Sequence, residues 1–307
     1  MSLLSIIQNV CHEMGLTAPT VAMGATDNQT LQLVALMQRE GKELASHPVK
    51  DSCWSALQKL YLFNTFFLQA TATETLGSNV LAMPGTAGIL AGFGVAGPNL
   101  PNACTVTSVT PTTVTLDPTQ TATASGTGSD LYTFSKIAYP LPADYDHAVN
   151  QTMWDRTFRW QMLGPLSPQE WQVLKSGIAP TGPRIRWRIE QGQFYLDPYP
   201  TVIDTLAFEY IGTGFCQSAA GVAQSAWQAD TDTGVLSEDL MTLGLKWRFL
   251  RAKGLSYAEE RETYDRAVER AAARDGGVRT LTMNRTAISP LLNNANIPDT
   301  GYGVPSA

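Results

Sequence analysis

The sequence is poor in the residues that build most chemical sites. Its 307 residues include only three histidines and four cysteines. Cys11, Cys53, Cys104 and Cys216 lie far apart with no C-x-x-C pair, and His12, His47 and His147 are equally scattered. Zinc sites cluster such ligands, so no metal and no cofactor is expected. The cysteines read as free buried thiols in a reducing compartment. No serine stands in a G-x-S-x-G frame and no carboxylate pair stands out, so catalysis has no visible carrier and an enzyme is not expected.

Basic charge is short as well. Lys and Arg total 21 against 27 Asp and Glu, a formal net charge of -6. That excludes nucleic-acid binding by bulk electrostatics and leaves room for a local basic face. No Lys or Arg occurs between Lys59 and Lys136. Long hydrophobic runs are missing too. The longest uncharged apolar stretch, Asn79 to Gly97, is broken by Pro84 and several glycines, so no membrane span is expected. The N-terminal MSLLSIIQNVCHEMG lacks a basic leader and a cleavage site, and reads as a first helix of a protein made in the cytoplasm. A hydrophobic content of 44% suits a folded chain, and the length allows one large or two modest domains.

What is present is helix at both ends and strand between. Thr26-Asp27-Asn28-Gln29 offers a cap for an amphipathic helix with Val34, Met37, Gly41 and Leu44 on one face, ending near His47-Pro48. Ser237 starts a helix with Leu240, Leu243, Trp247 and Leu250 on one stripe, and Gly254 ends it. Ser256-Tyr257-Ala258-Glu259 reads as a capping box for a second helix through Tyr264 and Val268, stopped at Asp275-Gly276-Gly277. Between these ends, Arg184 to Ile189 alternates strictly, turns at Gln191-Gly192 and returns through Phe194-Tyr195-Leu196; Thr205 to Ile211 is another strand. Within the uncharged segment, Thr105 to Val109 and Thr113 to Leu116 flank a turn, and Leu131 to Phe134 follows.

The expected fold is therefore α+β. A helical-bundle body with an antiparallel β region takes residues 1–68 and 136–279, and a small Thr/Gly-rich β domain is inserted over 69–135. Residues 280–307, rich in Asn, Pro and Gly, form a flexible C-terminal extension.

Four motifs invite functional readings. Gly92-Phe93-Gly94-Val95-Ala96-Gly97 is a literal G-x-G-x-x-G, but Pro98 and Pro101 follow where a phosphate-binding helix would have to start, so loop glycines are expected. Asp230-Thr231-Asp232-Thr233-Gly234 hints at a calcium loop, yet its glycine comes fifth and position twelve is Met241, so a polar loop is expected. Arg184, Arg186 and Arg188 share one strand face. They read either as a basic stripe toward DNA or an acidic partner, or as a solvated face paired with Glu190 or Glu209. Trp154, Trp160 and Trp171 suit interface anchors or core equally.

The most explicit local signal is Ser167-Pro168-Gln169-Glu170, a capping box with proline leading the helix. It follows Trp154-Asp155-Arg156 and Gly164-Pro165 and precedes Trp171, and nothing in it is catalytic. This corner is expected to set an angle between strand and helix regions.

In order and spacing, these segments resemble the head-to-tail adaptor (connector) proteins of tailed bacteriophages, similar to the tail tubular protein A group. The residues that carry the resemblance run from Tyr139-Pro140-Leu141-Pro142-Ala143-Asp144-Tyr145 through Trp154-Asp155-Arg156-Thr157 and Gly164 to Trp171. Leu206 to Ile211, Ala229 to Thr233 and Leu245 to Tyr257 complete the set. It covers roughly residues 1 to 68 and 136 to 285 and leaves the insert outside. The resemblance implies a structural virion protein. Such a subunit is monomeric until the portal templates a ring, usually of twelve, beneath the portal protein. The ring extends the channel for double-stranded DNA and seats the next tail protein. It also implies a portal-binding extension, here carrying Arg285, Leu291, Leu292, Ile297 and Tyr302. The alternative is a DNA-binding structural protein that acts through the arginine strand.

Overall fold

The structure, a computed structural model, describes residues 2–47, 54–101, 104–126, 128–176 and 184–275. Helices α1 (Leu3–Glu13) and α2 (Asn28–Ala45) lead into strand β1 (Gln58–Asn64). Six strands follow: β2 (Phe67–Glu74), β3 (Val80–Ala82), β4 (Gly94–Ala96), β5 (Cys104–Val109), β6 (Thr113–Leu116) and β7 (Asp130–Ser135). Next come β8 (Ala138–Pro140), β9 (Tyr145–Ala148), β10 (Trp154–Asp155), β11 (Trp160–Gln161) and helix α3 (Pro168–Lys175). The hairpin β12 (Arg186–Glu190) and β13 (Gln193–Asp197) precedes β14 (Thr205–Gly212) and the short strands β15 (Cys216–Gln217), β16 (Ala223–Gln224) and β17 (Thr233–Gly234). Helices α4 (Glu238–Ala252) and α5 (Ala258–Arg274) close the described chain.

Strands β2 to β7 form a closed antiparallel barrel in the order β2-β3-β6-β5-β4-β7. Closure leaves no edge open to pairing, which suits strands as short as three residues. Its own core includes Leu81, Val95, Val106, Val114, Leu116, Tyr132 and Phe134. A Cβ at Gly97 would come within 2.2 Å of the Tyr132 ring, so glycine is required for strand β4 to close down on that ring. The Gly92 to Gly97 run is thus barrel wall, with no helix following it.

A five-stranded sheet is built around β14, which pairs with β1 on one side and with β9 and β10 on the other, β11 extending beyond β10. A three-stranded sheet, β12-β13-β8, packs against it. Phe194 joins the two layers, stacked on Trp187 (5.2 Å, 9°) and on Phe208 (5.3 Å, 7°). Such ring pairs contribute about 0.5–1.5 kcal/mol each beyond their buried area. The barrel joins these layers through short contacts. Phe66 N donates to the Tyr139 hydroxyl (2.9 Å), Ser135 Oγ donates to the Pro200 carbonyl (2.5 Å), and a Cβ at Gly94 would meet the Tyr199 ring at 2.6 Å.

The helical-bundle body expected from the sequence is not what forms. Among the described residues five α-helices stand beside seventeen strands, and the region expected to be helical carries the five-stranded and three-stranded sheets. Long amphipathic helices announce themselves within a few turns, whereas strands of two to eight residues acquire a buried face only when distant partners arrive. Helices α1, α2 and α5 gather around α4, which touches each of them, while α3 lies apart beside the β12 hairpin. The central place of α4 explains why burial runs round it, with Met241, Gly244, Leu245 and Arg248 buried beside Leu240 and Trp247. Leu243 and Leu250, expected on the same buried stripe, are half-buried.

Helix starts follow local chemistry in part. Ser2 and Asp27 accept hydrogen bonds from Ser5 N and Thr30 N, capping α1 and α2. The box expected at Ser256 does not form: Tyr257 holds the cap position of α5 with no side-chain bond. Ser237 precedes α4 but likewise makes no cap bond, and Glu238 and Asp239 sit at the positive end of that helix instead.

Candidate functional site

The corner singled out in the sequence forms as written at its helical end. Ser167 Oγ accepts from Glu170 N (3.3 Å), and Glu170 Oε2 accepts from Ser167 N (2.8 Å). The Ser167 backbone N–H holds the Glu170 carboxyl below its usual range. Trp171 is buried beneath α3, with the Lys175 ammonium 5.0 Å above its ring and 4.8 Å above Tyr199. Lys175 also pairs with Asp197. At Gly164, φ is 151° and a Cβ would lie 2.6 Å from the Trp187 carbonyl, so the chain can turn here only without a side chain.

At the strand end, Asp155 is buried and its Oδ1 accepts from Thr157 N (2.8 Å) and Phe158 N (3.1 Å), which shapes the turn between β10 and β11. Arg156 N donates to the Thr205 carbonyl (2.8 Å) while its side chain stays exposed. The tryptophans divide. Trp171 is core, whereas Trp154 and Trp160 are 44% and 39% exposed, and Trp160 stacks on the exposed Phe158 (5.6 Å, 27°). An aromatic knuckle of Phe158 and Trp160 therefore stands on a hydrogen-bonded turn, while Trp154, opposite Gln161, is exposed on the other face of the sheet in one row with Ala207 and Leu62. A second apolar strip lies along α3, between Leu166, Val173 and Leu174.

The three arginines do not share one environment. Arg184 precedes β12 and is exposed. Arg186 is half-buried beside Gln169, Glu170 and Val173 of α3, and faces Asp197 across the hairpin. Arg188 pairs with Glu190 at 3.5 Å and its side chain is only 15% exposed. Glu209 is engaged elsewhere, accepting from Gln58. Of the three, Arg184 is the one that stands exposed. Arg285, Leu291, Leu292, Ile297 and Tyr302 lie outside the described residues.

The loop that suggested calcium uses its carboxylates on backbone. Asp230 accepts from Ala22 N and Met23 N (2.6 Å for Met23), and Asp232 accepts from Gln228 N (2.7 Å) and Ala229 N (2.8 Å). Among the described residues no three His, Cys, Asp or Glu side chains converge as metal ligands.

Three arrangements were missed in the sequence. Glu40 of α2, with no exposed surface, receives Arg248 Nε of α4 and the Tyr264 hydroxyl of α5 (2.7 Å); Arg248 Nη2 also donates to Glu43 (2.7 Å). Burial raises the Glu40 carboxyl, against the opposing hydroxyl and guanidinium. Asp204 is also buried, and burial together with the nearby Asp155 carboxylate pushes it up to about 6. The third is the outward face of β1, where Leu60 and Leu62 are 51% and 47% exposed. The apolar run Leu60-Tyr61-Leu62-Phe63 in QKLYLFN does not show which side the protein covers.

Taken together these features are surfaces and braces. Apolar groups stand exposed on stiff supports, and the buried ionisable groups link helices or turns. No family model and no curated protein matches this sequence.

Proposed function

We propose that the chain is a structural virion protein, a subunit of a head-to-tail adaptor ring. It would be made in the host cytoplasm and dock under the portal, extending the DNA channel and seating the next tail component. The observation that carries this reading is the exposed aromatic knuckle of Phe158 and Trp160 on a turn braced by Asp155, a few residues before the capped start of α3. Exposed large apolar clusters mark interaction sites, and a ring subunit needs two unlike surfaces set at a constant angle. The knuckle and the strip along α3 supply two such surfaces, and the cap and the turn hold their angle. The motif order described above supports the same class. The ring, usually twelve, and the portal and tail partners rest on that resemblance.

The test is electron microscopy of the protein mixed with its portal. Rings stacked on the portal are expected, and they should be lost when Phe158 and Trp160 are both changed to Ser. A portal that stays bare with the unchanged protein refutes the reading. DNA binding through Arg184, Arg186 and Arg188 is the weaker alternative, because Arg188 is paired and Arg186 lies under α3. A duplex-DNA titration separates the two: strong affinity that falls steeply with salt would favour the alternative.

A further inference from the structure

Among the described residues strand β1 is an edge of the five-stranded sheet, paired with β14 on one side only. Folded proteins usually blunt such edges with an outward lysine, a proline or a bulge. Here seven residues, Gln58 to Asn64, run without proline, glycine or register shift. The outward residues are Gln58, Leu60, Leu62 and Asn64, all exposed and none charged. The one charge in the strand, Lys59, is directed to the other face and held by Asp144 at 2.6 Å. Unpaired backbone groups call for another strand, and the exposed leucines call for apolar partners at alternate positions.

The order of residues identifies that strand. Gln58-Lys59-Leu60-Tyr61-Leu62-Phe63-Asn64 is nearly symmetric in character about Tyr61. Turned antiparallel on a copy of itself, it sets Leu60 opposite Leu62, Gln58 opposite Asn64 and Tyr61 opposite Tyr61. Lys59 then faces Phe63, so no like charges meet. A slip of one residue sets outward against inward side chains. A slip of two sets a leucine against Gln58 or Asn64. One register therefore matches every outward pair.

We propose that the free protein associates through β1 with β1 of a second copy, antiparallel and centred on Tyr61, joining two five-stranded sheets into one. The contact is two-fold and closes at two copies, which leaves the knuckle and the α3 strip for other partners. This goes beyond the adaptor reading and does not depend on it. It also departs from the monomeric free state that the family resemblance implies.

Sedimentation of the full-length protein over a range of concentrations tests it first. The expected mass tends to twice the 33.2 kDa of the chain. The double variant Leu60→Lys/Leu62→Lys, changed only at exposed positions, should dissociate at least tenfold more readily. Cross-linking then tests the register. Opposed residues of an antiparallel pair lie about 4.5–5.5 Å apart between Cα atoms, within disulfide range. On mild oxidation, a mixture of Leu60→Cys protein with Leu62→Cys protein should cross-link severalfold more than either variant alone or the unchanged chain. A monomer at every concentration overturns the proposal, as does a dimer unaffected by the lysines. Equal cross-linking in the separate and mixed samples also overturns it.

Discussion

Replacing Arg248 by Met would leave the Glu40 carboxylate buried between α2, α4 and α5 with the Tyr264 hydroxyl as its remaining strong donor. Glu40 has no exposed surface, and the Arg248 side chain is 7% exposed. Breaking a buried ion pair on one side costs about 3–5 kcal/mol, a large share of the roughly 5–15 kcal/mol that holds a folded domain together. At about 2–4 °C per kcal/mol the variant should melt roughly 10 °C below the parent at pH 7. Loss of the guanidinium removes an influence that lowers the Glu40 pKa, so its carboxyl rises further above the ordinary value. The folded variant then binds a proton that the unfolded chain has released, and its deficit should shrink as pH falls toward the ordinary carboxylate range. The double variant Glu40→Met/Arg248→Met should recover much of the loss, because apolar side chains of similar volume replace a buried pair at little cost. Circular-dichroism melts of the parent, both single variants and the double variant close the cycle. A single-variant deficit below about 1 kcal/mol, or a double variant as unstable as the sum of its parts, would refute the reasoning.

Two further outcomes follow from the same reading of buried and capped groups. Ser167→Ala should cost about 1 kcal/mol of helix stability and speed amide exchange in α3 while leaving the barrel amides unchanged, as hydrogen exchange would show. Asp204→Asn should alter the pH dependence of melting: a carboxyl raised to about 6 from 3.8 makes the parent gain stability as pH falls through that window, and the difference from the variant should reveal the gain. Parallel melting curves for the two proteins between pH 7 and pH 4 would refute it.

Some of this was legible along the chain. The Asp27 cap, the Ser167 box and the hairpin from Arg186 to Asp197 depend on groups within a few residues of one another, and they form where the pattern placed them. So do the strands from Cys104 to Leu116. The box at Ser256 failed although its residue pattern was right, because the helix begins with Tyr257 in the cap position, turned onto Trp247 (6.5 Å between rings). The even alternation of arginines predicted one face but not its cover: α3 lies beside Arg186 because residues 163–166 run along β12, with Leu166 N donating to the Trp187 carbonyl (3.1 Å) just before the helix starts.

The sequence by itself determined where the Asp27 and Ser167 caps start helices and where the hairpin at Gln191-Gly192 turns. These depend on spacing, capping groups and backbone freedom within a turn or two. Tertiary structure decided the rest. Glu40 and Arg248 are 208 residues apart, and no local pattern pairs them. The barrel closes by joining β2 to β7, and β14 gathers β1, β9 and β10 from remote parts of the chain. Which residues end up exposed, Trp154 and Leu62 among them, depends on which neighbours those long-range registers bring. That is why a helical body was read where sheets form the larger part.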